Sequence, residues 1–448
     1  MDYDNTQYVK WFRQASPYIN AYRGKVFVVL LPGEALADPN LANIANDLTL
    51  LNSLGVKLVL VHGARPQIDA ALRAAGLKDE KHDDVQGQLH QNLRITDGAS
   101  LEEIKKVVGK LRIDIEALFS TGLPNSPMHG AGINVVSGNF VTAKPYGVHQ
   151  GIDYCHTGEV RKINKKAISK LLNKGNIVLQ SNLGCSPTGE VFNLTVEEVA
   201  SATAIALKAD KLLIYSSDTG ILDEEGEAIS QLNADEAQAL IKTKIKNKGL
   251  DEQLLNLELA TKACKAGVKR AQVISYATDG ALLMELFTRD GSGTLITQEH
   301  YEQLRGASID DVGGILELIQ PLEAEGVLVQ RSRELLESEV EQFTVVEREG
   351  MIIACGALYP QEDGSGELAC VATHPDYRNQ HRGQLILETI EKNAKKAGLA
   401  SLFVLTTKTP HWFLEKGFQE SDLNGLPEKK QSLYNFQRNS KIFVKKLK

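Results

Sequence analysis

The sequence predicts an α/β chain of two domains, the first built around a mostly parallel sheet and the second a smaller α/β unit. Short apolar, β-branched runs alternate with longer amphipathic stretches over the first two thirds of the chain, the rhythm of βαβ units. Near Gly291 that rhythm lapses, and from residue 296 onward it restarts with a short strand and helix of its own. A length of 448 residues is also more than one core organises. The division is therefore set at 1–295 and 296–448, the second part having the size of an ordinary domain.

In chain order, Val26–Leu31 is the first strand, followed by the amphipathic helix ANIANDLTLLNSLG, which Gly55 closes. VKLVLVHG is the second strand and RPQIDAALRAAG the second helix. INVVSG with NFVTAKP, GNIVLQS, KLLIYSS and AQVISY continue the strands, while NLTVEEVASATAIALKA and LLNLELATKACKAG have helical periodicity. In the second domain, ELACVAT is an apolar strand stopped by Pro375. A turn then leads to a helix at Gly383, with Leu385, Leu387, Ile390 and Ala394 inward and Gly398 at its end. SLFVLTT is the next strand.

Composition excludes several classes of function. With 42% hydrophobic and 24% charged residues the chain has enough apolar side chains for full cores. A net charge of -7 argues against nucleic acid as a partner, because phosphate backbones demand clustered cations. The five cysteines, Cys155, Cys185, Cys264, Cys355 and Cys370, are odd in number and without metal-ligand spacing, which fits a reducing compartment and no metal site. The longest apolar run, Val26–Leu31, is far too short to span a bilayer, and the acidic start MDYDNTQ is unlike a targeting peptide. The expected location is the cytoplasm, where the sequon Asn193-Leu194-Thr195 carries no glycan.

The chemistry concentrates between Gly366 and Phe418. A strand, a loop ending in glycine and a helix starting at once form a physical recipe for binding pyrophosphate, since first-turn N–H groups and the helix dipole both favour an anion. Arg378 and Arg382 add positive charge there. The order of these parts resembles the GNAT acetyltransferase superfamily, whose Gln/Arg-x-x-Gly-x-Gly/Ala loop cradles coenzyme A. Arg378 and Gly383 match that loop, His381 replaces its middle glycine, and HWFLEKGF is similar to the helix that follows. The resemblance implies acetyl-CoA as co-substrate, bound by Cys370, Val371, Arg378, His381, Arg382, Gly383 and Gln384.

Acetyl transfer to an amine needs a base for the amine proton and stabilisation of the tetrahedral oxyanion. Glu367, at the head of the strand that leads to the thioester in this superfamily, is the candidate base, directly or through water. The tyrosine that many members use to protonate the thiolate is Phe413 here, which leaves Thr406, or as a second choice Tyr434, for that end of the reaction. Cys370 inside ELACVAT reads as a small hydrophobe rather than a nucleophile. LVQRSRELLE, ELACVATHPDYR, FVLTT, HWFLEKGF and LYNFQRNSK together resemble the branch that acetylates L-glutamate, in which arginines hold the amino acid; Arg331 and Arg438 carry that role over.

From residue 18 to 297 the chain resembles the amino-acid kinase family, through PYINAYRGKVFVVLLPGEA, LVLVHGARPQID, LRITD, FNLTVEEVA, DTGIL and DGALLMELFTRDGSGT. This implies a three-layer domain. The cationic clamps and glycine loops of phosphoryl transfer are missing: Leu30, Pro32 and Gly33 stand at the first lysine and glycine pair, Ala64 and Arg65 at the second glycine run, Glu197 at the aspartate and Asn256 at the second lysine. Arg94 and Asn193 remain where such kinases hold their acylated amino acid. The domain is expected to be regulatory, with Tyr18, Glu285 and Gly291 matching the arginine site of arginine-inhibited kinases. Trp11, Phe12, Tyr18 and Ile19 on the first helix suggest self-association, and the resemblance implies a homo-hexamer. The competing readings are a true kinase with an acetyl-CoA sensor, and a protein-modifying acetyltransferase using the front domain to bind its target.

Overall fold

Six consecutive apolar residues are hidden only when both faces of a strand are covered, and that requirement organises the front of the chain. The computed structural model describes residues 5–82, 93–121, 128–223, 225–248, 251–288, 290–298, 302–348, 350–378, 382–432, 434 and 440–447. They fall into two units, Met1–Glu299 and His300–Lys448. In the first, β1 (Val26–Leu31), β2 (Lys57–His62), β3 (Val135–Ser137), β4 (Ile177–Ser181), β5 (Lys211–Ser216), β6 (Gln231–Asn233), β7 (Arg270–Ser275) and β8 (Thr294–Thr297) form one sheet. Its order is β6-β8-β7-β5-β1-β2-β4-β3, and every neighbouring pair is parallel except β7 with β8.

The helices used below are α1 (Asn5–Tyr22), α2 (Leu41–Ser53), α3 (Arg65–Ala74), α4 (Gly98–Phe119), α5 (Val196–Leu207), α6 (Glu252–Lys265) and α7 (Ala281–Phe287). Alternate residues of β1 serve two cores. Val28 and Leu30 share one with Val199 of α5 and Leu257 of α6, while Phe27, Val29 and Leu31 share another with Leu48 of α2 and Leu286 of α7. Helices on both faces of the sheet make three layers. Side chains fix the helix starts: Thr195 Oγ1 accepts the Glu198 N–H at 3.3 Å, and Asp251 Oδ1 accepts the Leu254 N–H at 2.9 Å. NFVTAKP is a strand as expected, but Val141–Pro145 belongs to a separate four-stranded sheet with Gly158–Ile163, Leu183–Cys185 and Val191–Asn193.

The second unit has the strands β9 (Glu302–Gly306), β10 (Phe343–Arg348), β11 (Met351–Pro360), β12 (Ser365–Thr373), β13 (Ser401–Thr406), β14 (Gln419–Ser421) and β15 (Lys441–Lys446). They run in the order β9-β10-β11-β12-β13-β15-β14, antiparallel throughout except β12 with β13. The helices are α8 (Val312–Ala324), α9 (Arg333–Glu339), α10 (Arg382–Lys396), α11 (Pro410–Glu415) and α12 (Glu428–Ser432). α10 packs on one face of the sheet through Ile386, Leu387, Ile390 and Ala394. On the other face Val312, Ile315 and Ile319 of α8 meet Val345, Cys355, Cys370 and Ala372. Leu385, expected inward, is 40% exposed. Ile386 takes its place, because the row 386, 390, 394 keeps the i, i+4, i+8 spacing that faces one side of a helix.

Candidate active site and effector pocket

Parallel strands held only at one end leave a cleft between them. β12 and β13 pair only from Ser365 opposite Ser401 to Glu367 opposite Phe403, and the ladder stops there although both strands continue. On its other side β12 shifts register against β11, from Ala369 opposite Ala357 to Ala372 opposite Cys355, so it carries an extra residue at Cys370–Val371. Cys370 adopts φ +50°, the left-handed region that side chains other than glycine rarely occupy. The bulge bends β12 away from β13 and exchanges its faces: Leu368 lies in the α10 core, Val371 packs against it, and Cys370 and Ala372 lie in the α8 core. The cleft thus has backbone groups on its walls with no strand partner.

At the end of that cleft stands the first turn of α10. Among the described residues, a Cβ on Gly383 would meet Trp412 Cζ2 at 3.5 Å and Thr373 Oγ1 at 3.8 Å, ordinary contacts that do not demand glycine there. What the missing Cβ does is leave the first-turn N–H groups approachable by an anion. Arg378 is exposed beside it. Arg382 differs from expectation. Its guanidinium is buried, with Nε 2.9 Å from Glu302 Oε2 and its guanidinium carbon 5.0 Å over the Tyr377 ring, so its charge serves the fold. The Gln384 side chain likewise spans Glu388 (2.7 Å) and Lys416 (2.8 Å). His381 lies outside the described residues.

The α8 and α9 side of the cleft is polar. Tyr359 on β11 stands opposite Glu367 on β12, and its hydroxyl donates to Glu339 Oε2 at 2.7 Å. Arg331, in the turn before α9, donates its N–H to Glu323 at 3.0 Å and brings its guanidinium within hydrogen-bonding reach of Tyr359. Burial works against the charge of Arg331, but its neighbours Cys370, Tyr359 and Glu339 hold it more firmly protonated than usual. Burial and the bond to Glu339 keep the Tyr359 proton well above the ordinary phenol range. Burial pushes the Cys370 thiol up to about 11, consistent with a small hydrophobe. Phe413 is buried against Phe418. Thr406, at the open end of β13, accepts N–H bonds from Thr409 (3.2 Å) and Lys408 (3.4 Å). The Tyr434 hydroxyl is committed to the Ser440 carbonyl at 2.6 Å. Arg438 lies outside the described residues.

In the first unit a chain of buried polar groups joins three elements. Lys211 on β5 sits over the Tyr22 ring at 5.1 Å and donates to Gln272 Oε1 on β7 at 3.1 Å; Gln272 Nε2 donates to Glu285 Oε1 on α7 at 2.7 Å. Glu285 Oε2 accepts the N–H groups of Ser292 (2.7 Å) and Gly293 (2.9 Å). Gly291 has φ +70°, and a Cβ there would come 2.5 Å from Glu285 Oε2, so Glu285 and Gly291 are brought together. Tyr18 on α1 packs beside Tyr22, ring centroids 6.2 Å apart. Lys211 and Gln272 escaped the sequence reading, although each is a polar residue within an otherwise buried strand, which is a usable signal.

Residues 25–275 match the amino acid kinase family, and residues 339–420 match an acetyltransferase (GNAT) domain. An amino-acid acetyltransferase of Azotobacter vinelandii is 56% identical over 98% of this chain and 99% of its own length. The chain belongs to the amino-acid acetyltransferase family. The relative from Pseudomonas fluorescens is 55% identical over 98% of this chain and 100% of its own. The N-acetylglutamate synthase of Neisseria gonorrhoeae, 36% identical, superimposes with a TM-score of 0.84 over 98% of this chain and 99% of that one, in a crystal structure with coenzyme A and L-arginine. A second structure of that protein holds coenzyme A and N-acetyl-glutamate and has a TM-score of 0.61.

This member of the family keeps a cavity of about 220 Å³ at the carboxyl ends of β1 and β2, lined in part by Leu30, Arg65, Arg94, Asn193, Glu197 and Asn256. Its cations already have partners. Arg65 pairs with Glu197 at 3.4 Å, Arg94 with Asp69 and Asp79, and Lys81 with the same two carboxylates at 3.0 and 2.9 Å. The glycines next to it are consumed by packing. A Cβ on Gly33 would come 2.7 Å from Pro66 Cδ, one on Gly63 would come 2.9 Å from Gly33 N, and Gln67 donates to the Gly33 carbonyl at 2.6 Å.

Proposed function

We propose that this enzyme transfers the acetyl group of acetyl-CoA to the α-amino group of L-glutamate, giving N-acetyl-L-glutamate and CoA, the first step of arginine biosynthesis, under feedback inhibition by L-arginine. The observation that carries the reading is the parting of β12 from β13 after Glu367, between an anion-facing helix turn and a polar pocket containing Arg331. A thioester arm fits a cleft walled by unpartnered strand, with its pyrophosphate at Gly383 and Arg378 and its carbonyl near the backbone of Cys370 and Val371. The two ligands named for the Neisseria gonorrhoeae complex, coenzyme A and N-acetyl-glutamate, are the products of this reaction.

In this reading Arg331 and Arg438 hold glutamate and Glu367 takes the proton of its α-ammonium. The neutral amine then attacks the thioester carbon; the C–N bond forms, the C–S bond breaks, the CoA thiolate leaves toward Thr406, and the second proton the nitrogen loses in becoming an amide ends on that thiolate. Backbone N–H groups beside the bulge stabilise the oxyanion. Tyr434 is the weaker candidate at the thiolate end, since its hydroxyl already has a partner.

Residues 1–295 form the regulatory part and 296–448 the catalytic part. Phosphoryl transfer is disfavoured in the front cavity, whose cations are paired and whose glycine loops are closed. Free arginine is assigned to Tyr18, Glu285 and Gly291, where a buried carboxylate offers a guanidinium partner. Val9, Trp11 and Phe12 are exposed on α1, an apolar face suited to self-association into a homo-hexamer in the cytoplasm.

The test is thiol release from acetyl-CoA by the purified full chain with L-glutamate, with and without L-arginine, and with other amino acids as controls. Glutamate-dependent turnover suppressed by arginine is the expected result. Protein that binds acetyl-CoA yet leaves glutamate untouched would overturn it.

A further inference from the structure

Glu367 is held in an ion pair. Its Oε2 lies 2.5 Å from the ammonium of Lys430 on α12. The Glu367 side chain is 13% exposed and that of Lys430 31%, so the pair sits at the edge of the pocket rather than in open solvent. While the ammonium caps it, Oε2 is held from taking a proton from a substrate amine. Lys430 is suited to moving: its charge rides on a flexible four-carbon stem with three rotatable donors, and its helix is five residues long. The substrate brings the means of moving it. In an α-amino acid the carboxylate is two bonds from the amine, so an amine delivered to Glu367 places its α-carboxylate beside Lys430. Arg331, grouped with Tyr359 and Glu339, is left for the side-chain carboxylate.

We infer that Lys430 is a substrate-binding residue that leaves Glu367 for the α-carboxylate of the incoming amino acid, and that this exchange of partners frees Oε2 of Glu367 to take the amine proton. The proton balance is simple. The α-ammonium gives one proton to the Glu367 carboxylate, producing a neutral amine and a carboxylic acid, while Lys430 stays protonated throughout. The inference rests on the reading of Glu367 as base.

The experiment compares Lys430→Met, Lys430→Arg and Glu367→Gln in steady-state kinetics with both substrates varied. Lys430→Met is expected to raise the KM for glutamate about two- to tenfold, the α-carboxylate contact less the Glu367 pair given up for it, without changing the KM for acetyl-CoA. Lys430→Arg should restore most of the affinity. Inhibition by 2-aminobutyrate, which keeps the α-carboxylate, should weaken with Lys430→Met, and inhibition by 4-aminobutyrate, which lacks it, should not. A fall in kcat alone with the glutamate KM unchanged would mean that Lys430 only orients Glu367, and the inference would be lost. Should the methionine variant melt early, the arginine variant decides: a glutamate KM near that of the parent supports the exchange, and a tenfold rise overturns it. Unchanged turnover in Glu367→Gln would instead sink the base assignment, an outcome separable from any result at Lys430.

Discussion

Replacing Gly383 with alanine separates what the fold requires from what the ligand requires. Within a helix alanine is favoured over glycine by roughly 0.5–1 kcal/mol. The new methyl would lie 3.5 Å from Trp412 Cζ2 and 3.8 Å from Thr373 Oγ1, so no clash with the described residues offsets that gain. The melting temperature should rise by about 1–3 °C. The same methyl stands between the first-turn N–H groups of α10 and an approaching pyrophosphate. Losing one charge-assisted hydrogen bond costs about 1.5–3 kcal/mol, which weakens CoA binding by roughly 10- to 100-fold. Calorimetric titration of CoA together with a thermal melt reads both quantities on one sample. Unchanged CoA affinity, or a loss of stability alongside the loss of affinity, would refute the argument and place the pyrophosphate elsewhere.

Two further outcomes follow from the buried titratable groups. Burial, with the charge of Asp279 second, pushes the Asp47 carboxyl up to about 7. Between pH 4 and 7 the folded chain therefore keeps a proton that the unfolded chain has lost, and stability falls as pH rises through that window. Asp47→Asn removes the penalty: the variant should gain on the parent between pH 5 and pH 8, by about 1–2 kcal/mol once partial exposure is discounted, and a pH-independent difference between the melts would contradict this. Cys370→Ala should retain glutamate-dependent turnover and a sequential kinetic pattern, because a thiol pushed up to about 11 is hardly ionised at neutral pH. Ping-pong kinetics in the parent, lost in the variant, would show covalent catalysis instead.

Features whose parts are contiguous in sequence were legible. The strand ELACVAT, the glycine at 383 and the helix after it follow one another within about thirty residues, so spacing alone assembles them. The bulge at Cys370–Val371 was not legible, because nothing in the sequence marks a cysteine for the left-handed region. Tyr359, Glu339 and Lys430 come from three separate elements, and only the sheet brings them to Glu367. Arg382 misled for a related reason. A basic residue beside a glycine suggests a phosphate ligand, and its actual partner, Glu302, lies 80 residues earlier. The Lys211–Gln272–Glu285 chain was missed although polar residues in buried strands marked its parts, because pairing them required the register of β5 against β7.

The close approach of Gly63 to Gly33 bears on whether the front unit could be engineered for phosphoryl transfer. A lysine restored at position 30 would supply one cation, yet the turn beside it is occupied by Pro66 and by the Gln67 amide on the Gly33 carbonyl. Room for a phosphate chain would demand that α3 withdraw, and Arg65 at its start is tied to Glu197. Installing that activity is therefore a matter of moving a helix, and stepwise substitution would pass through forms that neither grip phosphate nor keep the clasp.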